Sequence, residues 1–376
     1  MTGREKRKAH ACSADRRREL AKNYTLYLRS IDGDAEGTDT CRVWCRSSSI
    51  PIHPATGLRT DPHRQKSSAD LVSGSIPVLD LQSSANSLPQ LSRIYSEWGV
   101  FQVVNHGVPS TLLEEMKEVG LRFFRSPMEF KLRYACDPGS AASEGYGSRM
   151  LSKEEGVLDW RDYFDHHTLP EFRRNPSVWP DFPENYRDVV MDYSNNMKLL
   201  AQRLLRMISK SLNLPDSYIE DAIGEVYQNI TISYYSPCPQ PELALGLQSH
   251  SDIGAISLLI QDDVGGLEVL KNGEWVPVVP LSDAIVVILA DQTEILTNGI
   301  YKSAVHRATV NSHLARLSVA TFHDPAKTRK ISPLHQLITD HSPPKYREVV
   351  YGDYVSSWYD KGPEGKRNID ALLIQH

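Results

Sequence analysis

Two histidines and one aspartate have the residue types and the spacing of a metal site. The segment LQSHSD places His250 and Asp252 two positions apart at the end of a predicted strand, so alternation points both side chains to one face. His306 offers a third ligand from the predicted strand KSAVHRATV, where Ala304 and Ala308 leave room around the imidazole. Two imidazoles and one carboxylate make a facial triad that can hold ferrous iron and leaves positions open for a co-substrate and dioxygen.

A second predicted strand, ARLSVATFHD, presents a row of side chains that suits an anion. Arg316, Ser318 and Phe322 lie at alternate positions and therefore share one face. An arginine buried in an apolar row is unfavourable unless an anion pairs with it, and a dicarboxylate would accept a bidentate bond from the guanidinium. The alternative is that this face points to solvent while Leu317 and Val319 form the core face.

Composition and charge favour a small molecule as the partner. The chain of 376 residues is 40% hydrophobic, which is enough for the core of one large domain or two smaller ones. A net charge of -5 gives no basic field for nucleic acid or an anionic membrane. No apolar run approaches the ~20 residues that span a bilayer, and the first residues lack a secretory signal. We expect a cytoplasmic monomer whose five cysteines are free thiols.

The sequence pattern divides the chain into four parts. Residues 1–75 are polar and irregular, which predicts a disordered or irregular extension. Residues 76–225 form a mostly helical region that also contains the predicted strands IPVLDL and GVFQVV. Residues 226–330 contain many short β runs separated by turn signals, which predict a jelly-roll core, and residues 331–376 form a C-terminal helical segment that packs on it. The predicted fold class is mainly β with α.

Two helices of the second part have clear sequence signals. Ser110 and Thr111 offer N-caps to one helix, with Glu114 placed for a capping box. A longer helix fits the apolar periodicity from Tyr186 to Leu212.

The motifs around the site residues are similar to those of a known enzyme family. The sequence resembles the plant-type 2-oxoglutarate- and iron(II)-dependent dioxygenases, which include flavonoid oxygenases, gibberellin oxidases and jasmonate-induced oxygenases. The resemblance runs from about Ile76 to Ile374, and the spacing from His250 to His306 and on to Arg316 is similar to that of the family. The segments that carry it are WGVFQVVNHGV, EGYGSRM, LDWRDYF, SYYSPCPQPELALGLQSHSD, DQTEILTNGIYKSAVHRATVN and ARLSVATFHDP.

This resemblance implies a reaction and a set of ligands. It implies a double-stranded β-helix core, Fe(2+) as the metal, 2-oxoglutarate and O2 as co-substrates, and ascorbate as the reductant. The enzyme would hydroxylate or otherwise oxidise a small organic metabolite while 2-oxoglutarate is decarboxylated to succinate. At position 233 the family has asparagine where this chain has serine, which leaves that contact open. The implied metal ligands are His250, Asp252 and His306, and the implied 2-oxoglutarate ligands are Arg316, Ser318, Tyr235 and Ser233.

Further residues are candidates for the substrate pocket. Phe322 shares a face with Arg316 by alternation, and its ring suits an aromatic or apolar substrate. For Tyr163 and Phe164, an aromatic core strand is an equal alternative. The candidates, by their place in the family pattern, are Tyr163, Asp165, His166, Thr231, Phe322 and Asp324.

An anionic substrate would need a cation in the pocket. Thr231 stands where several flavonoid oxygenases have lysine and jasmonate oxygenases have arginine. Arg149 or the pair Arg329 and Lys330 could supply the missing cation, unless these charges are simply solvated.

The C-terminal segment is a candidate cover for the pocket. It offers Tyr354, Trp358 and Tyr359 and resembles the family's closing helix, although a docking helix without substrate contact fits the residues equally well.

Three other functions share parts of this pattern. In 1-aminocyclopropane-1-carboxylate oxidase the same triad works without 2-oxoglutarate, so succinate release would separate the two. A jelly-roll binding module that has lost catalysis would be expected to lack a metal ligand, and none is missing. A zinc hydrolase also suits two histidines and an aspartate, but it leaves Arg316 and Ser318 unexplained. The substrate itself, whether a flavonoid or other phenolic, a hormone or an alkaloid, stays open.

Overall fold

The structure is a computed structural model that describes residues 75–83, 88–136, 144–148, 159–362 and 365–375. Arg149 and nearly all of the predicted extension at 1–75 lie outside these residues. Of the predicted thiols, Cys136 and Cys238 are reduced, and the other three also lie outside. Within the described part of the chain, no helix is long and apolar enough to cross a membrane.

Short strands make up most of the regular structure after residue 225, as the turn spacing predicts. The strands are β1 (Val78–Asp80), β2 (Val100–Val104), β3 (Gly145–Ser148), β4 (Asp162–Leu169), β5 (Val226–Tyr235), β6 (Leu247–His250), β7 (Ile256–Gln261), β8 (Leu267–Lys271), β9 (Glu274–Pro277), β10 (Ile285–Leu289), β11 (His306–Ala308), β12 (Arg316–Pro325), β13 (Lys330–Ile331) and β14 (Val349–Val350). The α-helices are α1 (Leu88–Glu97), α2 (Ser110–Phe124), α3 (Met128–Leu132), α4 (Tyr186–Ser211), α5 (Tyr218–Ile223), α6 (Asp291–Leu296), α7 (Tyr351–Lys361) and α8 (Arg367–Asp370).

The strands form two main sheets and a short two-stranded one. The major sheet has the order β1-β2-β10-β7-β12-β5-β4-β3 and is antiparallel except for the pair β1 and β2. The minor sheet has the order β6-β11-β8-β9, and β13 pairs with β14. Strands from both sides of residue 226 thus join one sheet, because β1 to β4 extend the sheet that β5, β7, β10 and β12 build.

Two hydrophobic clusters arrange the protein in three layers. One cluster lies between the sheets, where Leu259 and Ile288 of the major sheet pack with Leu267 and Val269 of the minor sheet. The other cluster joins the opposite face of the major sheet to α1, α2 and α4. The mainly β fold with helices that the sequence predicts is therefore confirmed.

Strand β12 shows why the major sheet can hold a polar site and a core at once. Leu317 and Val319 are fully buried in the cluster against the helices. Arg316 and Ser318 alternate with them and face the other way, yet they are only 3% and 4% exposed. The alternative of a solvated Arg316 is wrong, because the minor sheet covers this face.

The long helix was predicted closely, but the cap of α2 was not. Helix α4 ends at Ser211, one residue before the expected end. Helix α2 begins at Ser110, its N-cap is Pro109, and no side chain caps it. The predicted capping box is wrong because Ser110 already lies inside the helix, and Glu114 binds Lys117 instead.

Candidate active site

The three predicted metal ligands lie together in the structure. His250 is the last residue of β6, Asp252 follows it in the next loop, and His306 is the first residue of β11, which pairs with β6. The Nε2 atoms of His250 and His306 lie 3.4 and 3.6 Å from Oδ1 of Asp252. Within the described residues this is the one group of three such side chains close enough to share a metal ion, and all three are buried.

Backbone carbonyl groups fix the orientation of both imidazoles. Nδ1 of His250 donates to the carbonyl oxygen of Gln248 at 2.7 Å, and Nδ1 of His306 donates to that of Ala304 at 3.1 Å. A proton held on Nδ1 leaves the lone pair on Nε2, the atom that faces Asp252. The sequence predicted Ala304 as a neighbour of His306 on the same strand, but β11 begins only at His306. Ala304 instead contributes the carbonyl oxygen that orients the His306 ring.

The charges of the cluster suit a divalent cation. Burial alone would raise the pKa of Asp252, but His306 and His250 lower it to about 2, so the carboxylate stays ionised. Burial lowers the pKa of His306, which favours the neutral imidazole that binds a metal. Burial lowers the pKa of His250 too, but its hydrogen bond to Asp252 and the charge of Asp252 raise it, so metal binding there releases a proton. One anionic oxygen and two neutral nitrogens then make a donor set that ferrous iron accepts.

Arg316 provides an anion site a short distance along the same cavity. Its Nη1 donates to Ser318 Oγ at 3.3 Å, and its Nη2 donates to Gln261 Oε1 at 3.1 Å. Its Nε is buried with no hydrogen-bond partner in the described residues. A buried guanidinium with an unsatisfied N–H is unfavourable by itself, so this arrangement fits a carboxylate ligand.

Tyr235 and Ser233 lie beside this pair on the neighbouring strand. In the register of β5 and β12, Tyr235 is opposite Arg316 and Ser233 is opposite Ser318. The Arg316 guanidinium lies over the Tyr235 ring, 4.9 Å from its centre. Burial would raise the pKa of Tyr235, but the charges of Arg316 and Arg161 lower it. The four residues that the resemblance assigns to 2-oxoglutarate are therefore contiguous.

Arg161 lines the cavity but was not among the predicted residues. It is buried directly before β4, and its Nη1 donates to Ser233 Oγ at 3.0 Å. The signal that could have found it is alternation, because Arg161 lies two positions before Tyr163, which lines the same cavity.

Strand alternation places most of the predicted substrate residues on one cavity wall. The register pairs Tyr163 with Ser233 and Asp165 with Thr231 across β4 and β5. The Thr231 hydroxyl donates to the carboxylate of Asp165. The predicted substrate residues that line the cavity are Tyr163, Asp165, Thr231, Phe322 and Asp324.

His166 does not line the cavity, which corrects the prediction. It lies on the opposite face of β4, fully buried, and its ring nitrogens bond to the carbonyl oxygen of Ile230 and the hydroxyl of Tyr186. The alternation that places Tyr163 and Asp165 in the cavity selects His167 instead, and His167 does line it.

The prediction that Arg329 and Lys330 supply a cation to the pocket is also wrong, and Arg149 lies outside the described residues. Arg329 donates to the carbonyl oxygens of Ala222 and Asp221, and Lys330 pairs with Glu348. Neither side chain lines the cavity.

Two cavity carboxyl groups have raised pKa values. Burial raises the pKa of Asp165 to about 6. Burial and the charge of Asp252 raise the pKa of Asp324 to about 7. Each group can therefore hold a proton close to neutral pH and donate a hydrogen bond to a ligand.

Helix α7 covers one side of the cavity. Trp358 and Tyr359 line the cavity, as the closing-helix prediction requires. Tyr354 does not, and its hydroxyl instead donates to Oδ2 of Asp291 at 2.6 Å. Beyond α7, the chain returns to β6 at Gly365, whose carbonyl oxygen accepts a bond from the Ser251 amide at 3.1 Å.

Comparison with known proteins agrees with this geometry. A model of the 2OG-Fe(II) oxygenase superfamily matches residues 227–325, and a model of the N-terminal region of the non-haem dioxygenases in morphine synthesis matches residues 76–182. The Arabidopsis thaliana protein jasmonate-induced oxygenase 4 is 39% identical over 306 residues, which are 80% of this chain and 86% of that protein. The chain belongs to the 2OG-Fe(II) oxygenase superfamily. Iron(II) and 2-oxoglutarate are thus its cofactor and co-substrate, whereas ascorbate as reductant stays a prediction.

Other relatives of this oxygenase differ in the substrates that their names give. Thebaine 6-O-demethylase of Papaver somniferum is 39% identical over 313 residues, which are 80% of this chain and 85% of that protein. A flavonol synthase/flavanone 3-hydroxylase of Eustoma exaltatum is 36% identical and covers 77% of this chain and 87% of its own length. Among solved structures, jasmonate-induced oxygenase JOX2 with 2-oxoglutarate, iron and JA superposes with a TM-score of 0.77 at 36% identity, covering 80% of this chain and 90% of that one.

Proposed function

We propose that this oxygenase oxidises a small organic metabolite, by hydroxylation or a related two-electron oxidation, at the cavity that holds both the metal triad and the Arg316 anion site. The observation that carries the proposal is the continuity of these two groups of residues along one cavity. A zinc hydrolase has no use for the buried guanidinium, and a binding module has no need of three converging metal ligands.

Each part of the cavity has its own role in the proposal. His250, Asp252 and His306 hold iron(II), and backbone carbonyl groups orient the two imidazoles. Arg316 binds a carboxylate of 2-oxoglutarate through its fork of N–H groups. With these bound, the iron and dioxygen supply the oxidation while 2-oxoglutarate loses CO2 and becomes succinate.

The chain's own residues position the metabolite and exclude water. Phe322 and Trp358 offer apolar surface to the cavity, and Asp165, Asp324 and Thr231 offer hydrogen bonds. Relatives act, by their names, on an alkaloid and on flavonoids, and JOX2 was solved with JA. A substrate with a ring system and a few polar groups fits this lining.

A metabolite screen tests the proposal. The purified protein would be incubated with iron(II), ascorbate and 2-oxoglutarate against pools of flavonoids, alkaloids and hormone acids, and both substrate loss and succinate would be measured. His250→Ala is the matched inactive control. Substrate-dependent succinate release in the wild type alone supports the proposal, whereas equal release by His250→Ala, or none with any pool, counts against it.

Monomeric state and cytoplasmic location stay predictions from the sequence. Size-exclusion chromatography with light scattering, and fractionation of cells that express the full chain, would test them.

A further inference from the structure

The cavity contains a second buried guanidinium that the proposed function has not used. Arg161 is 8% exposed, and its Nη1 donates to Ser233 Oγ at 3.0 Å. Its Nε is buried without a hydrogen-bond partner among the described residues. Asp159 and Asp165 are close enough for the charge of Arg161 to lower their pKa values, after burial has raised them, but neither forms an ion pair with it.

Arg161 and Arg316 stand at the two ends of one row of hydroxyl groups. Arg316 donates to Ser318 and Arg161 donates to Ser233, and the strand register places Ser233 opposite Ser318 and Tyr235 opposite Arg316. The Arg316 guanidinium also lies 4.9 Å from the centre of the Tyr235 ring. The three hydroxyls thus lie between two cations, each with an unsatisfied Nε.

The carboxylates near these cations, Asp159 and Asp165 for Arg161 and Asp262 for Arg316, form no ion pair with them among the described residues. A dianion would pair directly with both buried guanidinium groups. The metal ligand Asp252 cannot serve them, because its carboxylate faces His250 and His306. Strand β5 alone separates β12, which begins with Arg316, from β4, which Arg161 precedes, so the two backbones lie about 10 Å apart. Two arginine side chains that lean inward can reach the ends of a five-carbon dicarboxylate across that gap.

We propose that Arg161 binds the carboxylate of 2-oxoglutarate that Arg316 does not bind. This inference rests on the proposed function, since it adds a residue to the same co-substrate site. It also explains how a short serine is accommodated at position 233: the hydroxyl accepts from Arg161 and leaves the other guanidinium N–H groups for the ligand.

The first test measures co-substrate binding without turnover. Isothermal titration calorimetry would follow 2-oxoglutarate binding to the Mn(II)-loaded protein in the absence of a metabolite. Arg161→Gln is expected to weaken binding at least ten-fold, and Arg161→Lys by less. Arg187→Gln is the matched control, because that guanidinium donates only to the carbonyl oxygen of Trp179, away from the cavity. Unchanged affinity in Arg161→Gln would overturn the inference.

Shortened ligands show which carboxylate each arginine binds. Levulinate and 2-oxopentanoate each keep one of the two carboxylates of 2-oxoglutarate, and competition with 2-oxoglutarate would give their affinities. For one of the two ligands, Arg316→Gln should lower the affinity, and Arg161→Gln should leave it within two-fold of the wild type. For the other ligand, the two variants should have the opposite effects. Equal losses in both variants for both ligands would contradict a division of labour between the two arginines.

A rescue variant separates binding from folding. Asparagine at position 233 offers an amide donor beside Arg161, so Ser233→Asn should restore part of the affinity that Arg161→Gln loses, while thermal melts report whether each variant folds. If Arg161→Gln instead raises only the KM for the metabolite, the arginine binds the primary substrate and the inference is wrong. If the wild type neither binds 2-oxoglutarate nor releases succinate, it is the proposed function that fails.

Discussion

His250 and His306 are direct partners across the antiparallel pair of β6 and β11, and their ring centroids lie 4.3 Å apart. Each ring donates from Nδ1 to the carbonyl oxygen two residues before it, Gln248 in one case and Ala304 in the other. The same type of hydrogen bond to the backbone therefore orients both rings with Nε2 toward Asp252. The strand register thus brings the two imidazoles together, and the loop after β6 adds Asp252.

A preformed triad predicts that metal binding stabilises the folded protein. Adding Fe(II) under anaerobic conditions, or Mn(II), at 100 times its Kd should raise the free energy of unfolding by about 2.7 kcal/mol. His306→Ala should abolish most of this gain, with activity reduced by two orders of magnitude or more, because only two ligands remain. Differential scanning fluorimetry measures the shift. His335→Ala, an exposed histidine outside the cavity, should keep the wild-type shift, and a full metal response in His306→Ala would speak against the assignment.

Arg316 should control the affinity for 2-oxoglutarate. Arg316→Gln should raise the KM for this co-substrate at least ten-fold, since loss of one partner of a buried charge pair costs about 2 to 5 kcal/mol. Steady-state succinate release at varied co-substrate concentration gives KM and kcat separately. Arg187→Gln is the control here too, and unchanged succinate production in Arg316→Gln would remove the basis for the co-substrate site.

Lys366 should hold the cover of the cavity in place. Its Nζ binds the buried carboxylate of Glu294, together with the Ser303 hydroxyl at 2.8 Å. Lys366→Met should lower the free energy of unfolding by about 2 kcal/mol, because it leaves Glu294 buried with a weaker partner. It should also raise the KM for the metabolite, since Trp358 on the preceding helix α7 lines the cavity.

Lys302 offers a matched control for the contact between Lys366 and Glu294. It binds the same Glu294 carboxylate at 3.2 Å, but its side chain is 51% exposed. Lys302→Met should therefore change the free energy of unfolding by less than about 1 kcal/mol and leave the KM unchanged. Chemical denaturation and metabolite kinetics compare the two variants, and equal effects would show that Lys366 has no special part in closing the site.

Local alternation explains what the sequence predicted well. The face of β12 follows from a period of two, so Arg316, Ser318 and Phe322 could be placed on one side of the strand before the fold was known. The roles of this row and of the metal ligands came from the resemblance to the family. The same rule, continued along β4, would have selected Arg161 and His167 and rejected His166. The error was to choose His166, which lies an odd number of residues from Tyr163 and therefore on the opposite face of β4. Applied consistently, the rule was sufficient.

Helix α6 shows what local pattern could not predict. Its sequence DQTEIL is mostly polar, yet all six residues are buried. The partners that satisfy it come from far along the chain: Tyr354 donates to Asp291, and Tyr346 and Lys366 donate to Glu294. A buried polar helix becomes stable only through such distant contacts, so a sequence window around it resembles an exposed turn.

Asp165 should make stability depend on pH in a known direction. Burial raises the pKa of its carboxyl from the ordinary 3.8 to about 6, so the folded protein binds the proton more tightly than the unfolded chain does. The free energy of unfolding should therefore fall as pH rises from about 4 to 6, by up to about 3 kcal/mol at 1.36 kcal/mol per pKa unit.

Asp165→Asn should remove this loss. The amide oxygen can still accept the hydrogen bond from Thr231, but the side chain never becomes charged. Relative to the wild type, the variant should therefore gain stability at pH 8 and show little difference at pH 4.5. Urea denaturation of the two proteins at both pH values measures the comparison. Asp216→Asn is the control, since that carboxylate is largely exposed and pairs with Lys210 at the surface. A parallel pH response in wild type and Asp165→Asn would mean that the carboxyl titrates at its ordinary pKa.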